Sequence, residues 1–306
     1  MRVVAAGVSG FLGTALREAL ARQGHEVVTL VRGTASGPSQ SRWDPYAGDV
    51  DRDVIASADA VVNLAGAPIA RWPWTESYRR TLLESRVQTT RTLSRALVDT
   101  TGGDRKVWLN ASGVGAYGEG RGGEILTEDS ALGSGFLAEV VRQWEAETQP
   151  AQDAGVRVCR MRTSVVLDRS GGALRPMLVP FRLGGGARFG SGEQYFSVIS
   201  LRDWVSAALH LLADADLSGA VNLALPDPPT NREFTEALAR QLHRPARLAV
   251  PSGPLKLALG GLSNELLGSL RVVPQRLTAA GFTFADPDVA SAIATAMAPR
   301  TTPAAG

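Results

Sequence analysis

Short apolar runs alternate along this chain with longer stretches in which apolar residues return every three or four positions. Arg2 to Ala6 is a run with β-branched residues and no charge after Arg2, the pattern of a strand buried on both faces. Phe11, Leu12, Ala15, Leu16, Ala19 and Leu20 then recur at helical spacing, and Gly24 stands where such a helix would stop. Residues 27–31 read as a second buried strand, which closes a βαβ unit within about thirty residues. Further strands are predicted over 59–66, 107–111, 156–167 and 220–225, with a short one at 42–44 ended by Pro45. A long helix within 71–98 carries Leu82, Leu83, Val87, Thr90, Leu93 and Leu97 on one face. Another covers 136–149, one opens at Asp203 after Ser200, where capping is the favoured reading, and one opens at Asn231 with Phe234. Strands and helices in this order predict an α/β fold: a Rossmann-type, doubly wound parallel sheet.

The turn between the first strand and the first helix holds Gly7, Gly10 and Gly13, spaced Gly-x-x-Gly-x-x-Gly. Gly7 permits a tight exit from the strand, Gly10 lets backbone approach a pyrophosphate, and Gly13 lets the helix pack close on the sheet. The positive end of the helix dipole points at the same place. An ordinary strand-to-helix turn is the plainer alternative. The second strand ends Leu30-Val31-Arg32, with no carboxylate before Asp44. NAD enzymes place an acid there for the ribose 2′-hydroxyl, whereas a guanidinium forks onto a 2′-phosphate, so Arg32 favours NADP(H) over NAD(H). Arg32 as a solvated loop charge is the alternative. Asp44 either accepts from the adenine amino group or starts a turn before Pro45. At the end of the 59–66 strand, Ala65 and Gly66 leave room for ribose and pyrophosphate, and Asn63 needs a partner.

Composition narrows the function classes. The chain has 306 residues, 44% of them hydrophobic, enough for a sizeable core. A net charge of +2 is too small to imply nucleic acid and disfavours a nucleic-acid-associated role. Apart from Lys106 and Lys256 the basic residues are all Arg, spread without blocks. The single Cys159, in an apolar run, cannot form an internal disulfide, which suits a reducing cytoplasm. No basic segment and apolar stretch precede the first strand, so no signal peptide is expected. The most apolar stretch, around 258–270, is broken by Gly260-Gly261, Asn264 and Glu265 and reads as a surface or interface helix, not a membrane span. His25, His210 and His243 have no acidic or cysteine companions at ligand spacing, so no metal site is expected.

GVSGFLG from Gly7 to Gly13 resembles the glycine motif of the extended short-chain dehydrogenase/reductase superfamily. The segments NLAGAPI, SRVQTTRTL from Ser85, the WE pair at Trp144 and RTSVVL from Arg162 narrow the resemblance. So do GGALRPMLVPFRLGGGARFGSGEQYFS, VNLALPDPPTNREF, HRP at His243 and VVPQRLTAAGFTF. Together they resemble the epimerase-like family named for YfcH, with its DUF1731-type C-terminal region, over essentially the whole chain. The resemblance implies a core over 1–168, rejoined by 194–226, and a smaller interleaved substrate lobe from 169–193 and 227–300, with 301–306 as a tail. It implies coenzyme contacts from Ser9, Phe11 and Leu12 beside the glycines, from Leu64 next to Ala65 and Gly66, from Arg86, and from Val166. It places Gln194 and Tyr195 in the cleft between the lobes.

The superfamily's Tyr-x-x-x-Lys pair, whose lysine lowers the phenol pKa for proton transfer, is missing. Four residues beyond Tyr46, Tyr78, Tyr117 and Tyr195 stand Val50, Leu82, Arg121 and Ile199. Where the pair is expected the chain has Phe136 and Val140. The best replacement is Tyr117 with Ser112, although Gly113 can take the superfamily serine's register, and a turn-capping Ser112 with a packed Tyr117 is the plain alternative. Glu128-Asp129 offers a carboxylate or an acidic surface turn. Arg162, next to the end of a central strand, must be paired, either structurally or with a substrate anion. Arg175, Arg182 and Arg188 suit a substrate carrying phosphate or carboxylate, and equally suit solvent. The leading expectation is an NADP(H)-dependent oxidoreductase or epimerase with an atypical acid/base and a small, polar, anionic, nucleotide-sugar-like substrate. The alternative is a catalytically silent NADP(H)-binding sensor or partner-binding protein. Neither nucleic acid nor membrane is an expected partner, and the sequence does not speak to oligomeric state.

Overall fold

The apolar runs assemble into one large sheet in the computed structural model, which describes residues 1–100, 106–246, 248–251, 253 and 268–299. In chain order the first half comprises β1 (Arg2–Ala6), α1 (Phe11–Arg22), β2 (Glu26–Val31), β3 (Gln40–Asp44), β4 (Asp49–Val50), α2 (Arg52–Ala56), β5 (Ala60–Asn63), α3 (Glu76–Thr100) and β6 (Val107–Gly113). A short 3₁₀ turn (Val114–Tyr117), β7 (Ile125–Leu126), α4 (Phe136–Ala146), α5 (Gln149–Asp153), β8 (Arg157–Thr163), β9 (Val165–Leu167), α6 (Leu174–Arg182), β10 (Ala187–Phe189) and β11 (Val198–Ser200) follow. The last described elements are α7 (Leu201–Ala213), β12 (Gly219–Leu223), α8 (Asn231–Leu242), β13 (Leu248–Val250), β14 (Arg271–Val272), α9 (Gln275–Ala279) and α10 (Val289–Met297).

The large sheet runs β12-β8-β6-β5-β1-β2-β3-β4, parallel throughout except for β4, which is antiparallel to β3. Strand order reverses between β1 and β5, the switch point at which doubly wound sheets open a crevice. Alternate β1 residues serve opposite faces. Val3 and Ala5 pack with Leu16 and Leu20 of α1 and Trp204 and Leu211 of α7. Val4 and Ala6 pack with Val28, Leu30 and, from α3, Leu93 and Leu97. All four β1 residues are fully buried, as the uninterrupted apolar run requires, and each large apolar side chain so buried contributes about 1.5–3 kcal/mol.

The run 156–167, read from sequence as one strand, is two. Ser164 breaks it: its amide donates to Leu223 O at 3.0 Å and its hydroxyl meets that of Ser197 at 2.8 Å. Beyond the break, β9 leaves the large sheet to pair with β11. Val166 and Ile199 of this pair face the main core, while Val165, Leu167 and Val198 face a second core. That second core also takes Leu174, Phe181, Phe234, Leu238 and Ile293 from α6, α8 and α10, and it forms the smaller lobe.

Asp203 also differs from its reading as a cap. Ser200 is the cap of α7, accepting Asp203 N at 3.1 Å. Asp203, fully buried, instead accepts Ala285 N at 2.9 Å and Asp286 N at 2.8 Å, and burial raises its pKa. Asp286 in turn accepts from Ser200 Oγ at 2.6 Å and Thr295 Oγ1 at 2.7 Å, which bolts the C-terminal segment to α7. Most of the stretch 258–270, and all of 301–306, lie outside the described residues. Among the described residues no helix is long and apolar enough to cross a membrane, and no cluster of His, Cys, Asp and Glu could hold a metal.

The first helix owes its seat to Gly13, where a Cβ would stand 2.4 Å from Val8 Cα and 2.5 Å from Gly7 O, both backbone atoms. Gly13→Ala is therefore expected to cost about 1–3 kcal/mol by overpacking, read as a shift of the denaturant midpoint.

Candidate functional site

The crevice is built from two strand-end turns that touch. Gly7 has φ +77°, and a Cβ there would lie 2.5 Å from Leu64 C and 2.6 Å from Ala65 N. Leu64 N donates to Ala6 O at 2.9 Å, and Ala65 N donates to Asn63 Oδ1 at 3.1 Å. Asn63, fully buried, is held by Asn110 Oδ1 at 2.8 Å and Thr90 Oγ1 at 3.1 Å, so the partner it needed is a buried amide pair. Ser9 and Gly10 lie exposed above. No side chain caps α1 at Gly10 and no acid occupies its first turn. A Cβ at Gly10 would meet only Gly7 O, at 3.3 Å.

Phe11, Leu12 and Val166 form the rear of this region and pack into the main core. Cβ atoms on Gly171 and Gly172 would lie 2.5 Å and 3.0 Å from the Phe11 ring, so the loop after β9 lies directly over it. Arg32 follows β2, exposed, with no carboxylate partner among the described residues. Arg42, which the sequence reading passed over, is exposed on β3 with its Cα opposite Val31. Both guanidiniums thus stand at one end of the β2–β3 pair. Asp44 is the turn former: its Oδ1 accepts Tyr46 N at 3.0 Å and Ala47 N at 3.2 Å.

Arg86 lies beneath the β5 turn. Its Nη1 donates to Leu82 O at 2.9 Å and its Nη2 to Ala67 O at 3.1 Å, and its Cζ stands 5.1 Å from the Trp144 ring centroid. A Cβ on Gly66 would sit 3.4 Å from Arg86 Cγ and Cζ. The residue is 6% exposed, no carboxylate among the described residues pairs with it, and burial lowers its pKa to about 10, with Tyr78 acting in the opposite direction. A buried cation compensated only by carbonyl oxygens and a ring face is suited to a phosphate-bearing ligand.

Ser112 and Tyr117 are brought together, but inside a closed network. Ser112 Oγ donates to Glu145 Oε1 at 2.5 Å. Arg162 grips the same carboxylate with two bonds, Nε to Oε1 at 2.9 Å and Nη2 to Oε2 at 2.8 Å, and donates from Nη1 to Tyr117 OH at 3.2 Å. The Tyr117 hydroxyl donates to Asn222 Oδ1 at 2.7 Å. Tyr117 is fully buried, and burial raises its pKa above the usual 10.0 even though Arg162 and Asn222 pull the other way. Burial works against the Arg162 charge, but Glu145 and Tyr117 more than offset it and raise its pKa. Of the two readings of Arg162, the structure shows the ion pair. Glu145 is the member that sequence reasoning missed, and the buried Arg162 was the one sign that an acid had to be near.

Glu128 departs from the surface turn suggested for Glu128-Asp129: it is buried, accepting Asn222 N at 3.0 Å and Arg276 N at 3.3 Å, while Asp129 is exposed and pairs with Arg276 at 2.9 Å. The segment 268–273 crosses above Tyr117. Leu270 and Val272 pack with Tyr117 and Leu126, and β14 pairs in parallel with β7. Tyr195 N donates to Ser269 Oγ at 3.0 Å, the Arg271 Cζ stands 4.9 Å from the Tyr195 ring centroid, and the ring reaches the loop at Gly123. Gln194 turns back into the lobe, its Nε2 donating to Phe189 O at 3.0 Å.

Residues 3–224 match the NAD dependent epimerase/dehydratase family. The chain belongs to that family. Residues 250–296 match a domain of unknown function, DUF1731. The epimerase family protein Mb2239 of Mycobacterium bovis is 42% identical over 92% of this chain and 93% of its own length. The crystal structure of human epimerase family protein SDR39U1 (isoform 2) with NADPH superposes with a TM-score of 0.85 at 34% identity, covering 96% of this chain and 98% of that one. A nucleoside-diphosphate sugar epimerase from Corynebacterium glutamicum gives a TM-score of 0.78 at 36% identity, over 96% of this chain and 57% of that one. The chain is therefore an NAD(P)-dependent epimerase-family protein of the extended short-chain dehydrogenase type.

Arg162→Met strands the Glu145 carboxylate and is expected to cost about 3–5 kcal/mol by chemical denaturation. Adding Glu145→Leu should return much of that loss, because the unpaired buried charge is gone. A single variant as stable as wild type would show that the pair carries no such strain.

Proposed function

We propose that this chain binds NADP(H) across the crevice between the β1 and β5 turns and acts as an oxidoreductase or epimerase on a small, polar, anionic substrate. The observation that carries the coenzyme half is the pairing of an uncapped, acid-free helix start at Gly10 with two arginines, Arg32 and Arg42, at the end of the β2–β3 pair that have no carboxylate partner among the described residues. A pyrophosphate suits the first site, and a 2′-phosphate suits the second, where a bare ribose hydroxyl would find no acceptor carboxylate. NADPH in the structure of the human relative supports the same reading. When bound, the nicotinamide supplies or accepts hydride. The chain's own residues have other tasks: Gly7 and Gly10 keep backbone open to the diphosphate, Arg86 underlies it, and Arg32 with Arg42 fixes the adenosine end.

A second reading is favoured by one observation. Phe136 and Val140 cannot transfer protons, and Tyr117 is fully buried with its hydroxyl committed to Asn222. An NADP(H)-binding sensor or partner-binding protein without turnover is consistent with that geometry. Screening carbonyl compounds and nucleotide sugars for NADPH turnover separates the readings, and equal turnover by wild type and Tyr117→Phe would remove Tyr117 from the chemistry.

Fluorescence titration should give NADPH binding tighter than NADH. Arg32→Ala should weaken NADPH by roughly tenfold to hundredfold, the worth of a charge-assisted contact, and leave NADH unchanged. Tighter binding of NADH by wild type would overturn the assignment.

A further inference from the structure

α3 and α4 meet through two cation–aromatic pairs in register. Arg86 Cζ stands 5.1 Å from the Trp144 centroid, and Arg79 Cζ stands 4.6 Å from that of Phe136. Arg79 lies two turns, about 10 Å, nearer the start of α3 than Arg86. Both helices begin at the carboxyl edge of the sheet, after β5 and β6, so Arg79 and Phe136 sit at the crevice mouth and the Arg86 pair sits below it.

Phe136 also meets Trp74 edge-on, at 5.7 Å between centroids, and the Trp74 Nε1 donates to Ile69 O at 3.0 Å. The guanidinium is thus seated on an aromatic pair. It is not neutralised: Arg79 is half-buried and makes no ion pair or side-chain hydrogen bond among the described residues, whereas its neighbour Arg80 pairs with Glu76. A ring face orients a guanidinium and leaves its N–H fork available to a planar or tetrahedral anion.

We propose that Arg79 is the substrate-selecting residue of this site, taking the carboxylate or phosphoryl group of a ligand seated at the crevice mouth. The inference deepens the proposed function and rests on the crevice being the ligand site. It gives the substrate's negative charge a defined receiver, distinct from the arginines that face the coenzyme.

Calorimetric titrations of the full chain, with and without NADPH, test it with two matched pairs: UDP-glucuronic acid against UDP-glucose, and glucose 6-phosphate against glucose. The member with the additional anionic group, the sugar carboxylate in the first pair and the 6-phosphate in the second, should in at least one pair bind wild type at least roughly tenfold more tightly, the scale of one forked charge contact. That preference should vanish in Arg79→Met, which keeps the apolar stem against Phe136, while NADPH affinity stays the same. Arg79→Gln repeats the test if Met disturbs the fold by thermal melting. Equal binding within both pairs, or a preference that survives in the neutral variants, overturns the proposal. Failure of wild type to bind NADPH overturns the coenzyme reading instead, and the titrations without NADPH still decide the role of Arg79.

Discussion

Two turns meet backbone to backbone at Gly7, with no space for a side chain between Gly7 and the Leu64–Ala65 peptide, and the crevice exists because of that contact. A side chain at Gly7 would meet carbonyl and amide atoms that cannot rotate aside, and its φ of +77° is one that residues with a Cβ rarely adopt. Separating the turns would break the Leu64 N to Ala6 O bond and misplace Asn63, whose amide group ties β5 to β6 and α3. The same contact brings the start of α1 and the Gly66–Ala67 backbone over Arg86 to one place. Helix dipole and buried cation therefore come together where none of the described carboxylates pairs with them.

The two buried arginines resolve their charges in opposite ways. Arg162 is saturated by Glu145 and Tyr117, a fully partnered network of the kind that rigidifies its surroundings. Arg86 has only carbonyl oxygens and the Trp144 face, and its pKa falls accordingly. Burial alone does not distinguish them, since both are about equally hidden. The presence of a carboxylate does: Arg162 has Glu145, while Arg86 has none among the described residues.

The first βαβ unit was legible in the sequence because its determinants are local: an apolar run, glycines at fixed offsets and a helical repeat. The break at Ser164 was not, because it is set by Leu223 and Ser197, far along the chain, while β-branched and apolar residues continue on both sides of Ser164. Ser112 and Tyr117 were placeable at the end of β6 by residue type and spacing. Their environment was not, because Glu145 arrives from α4 and Asn222 from β12. Arg32 was readable as an exposed cation at a strand end, but Arg42 joins it only through the β2–β3 register, which a single sequence does not display. Asp203 was misread for a related reason: its partners, the amides of Ala285 and Asp286, come from the C-terminal segment.

The α3–α4 seam carries the argument one step further. Phe136 and Trp144, eight residues apart on α4, face Arg79 and Arg86, seven apart on α3, so α3 presents two cations at different depths, each against a ring of α4. If the deeper cation serves the diphosphate, as we propose, the outer one is spaced to meet a second anion carried by whatever approaches the coenzyme. With a phenyl ring at Phe136 and a shielded phenol at Tyr117, the groups nearest that mouth are equipped to hold charge in place. On that proposal the chain's share at the mouth is orientation and electrostatics.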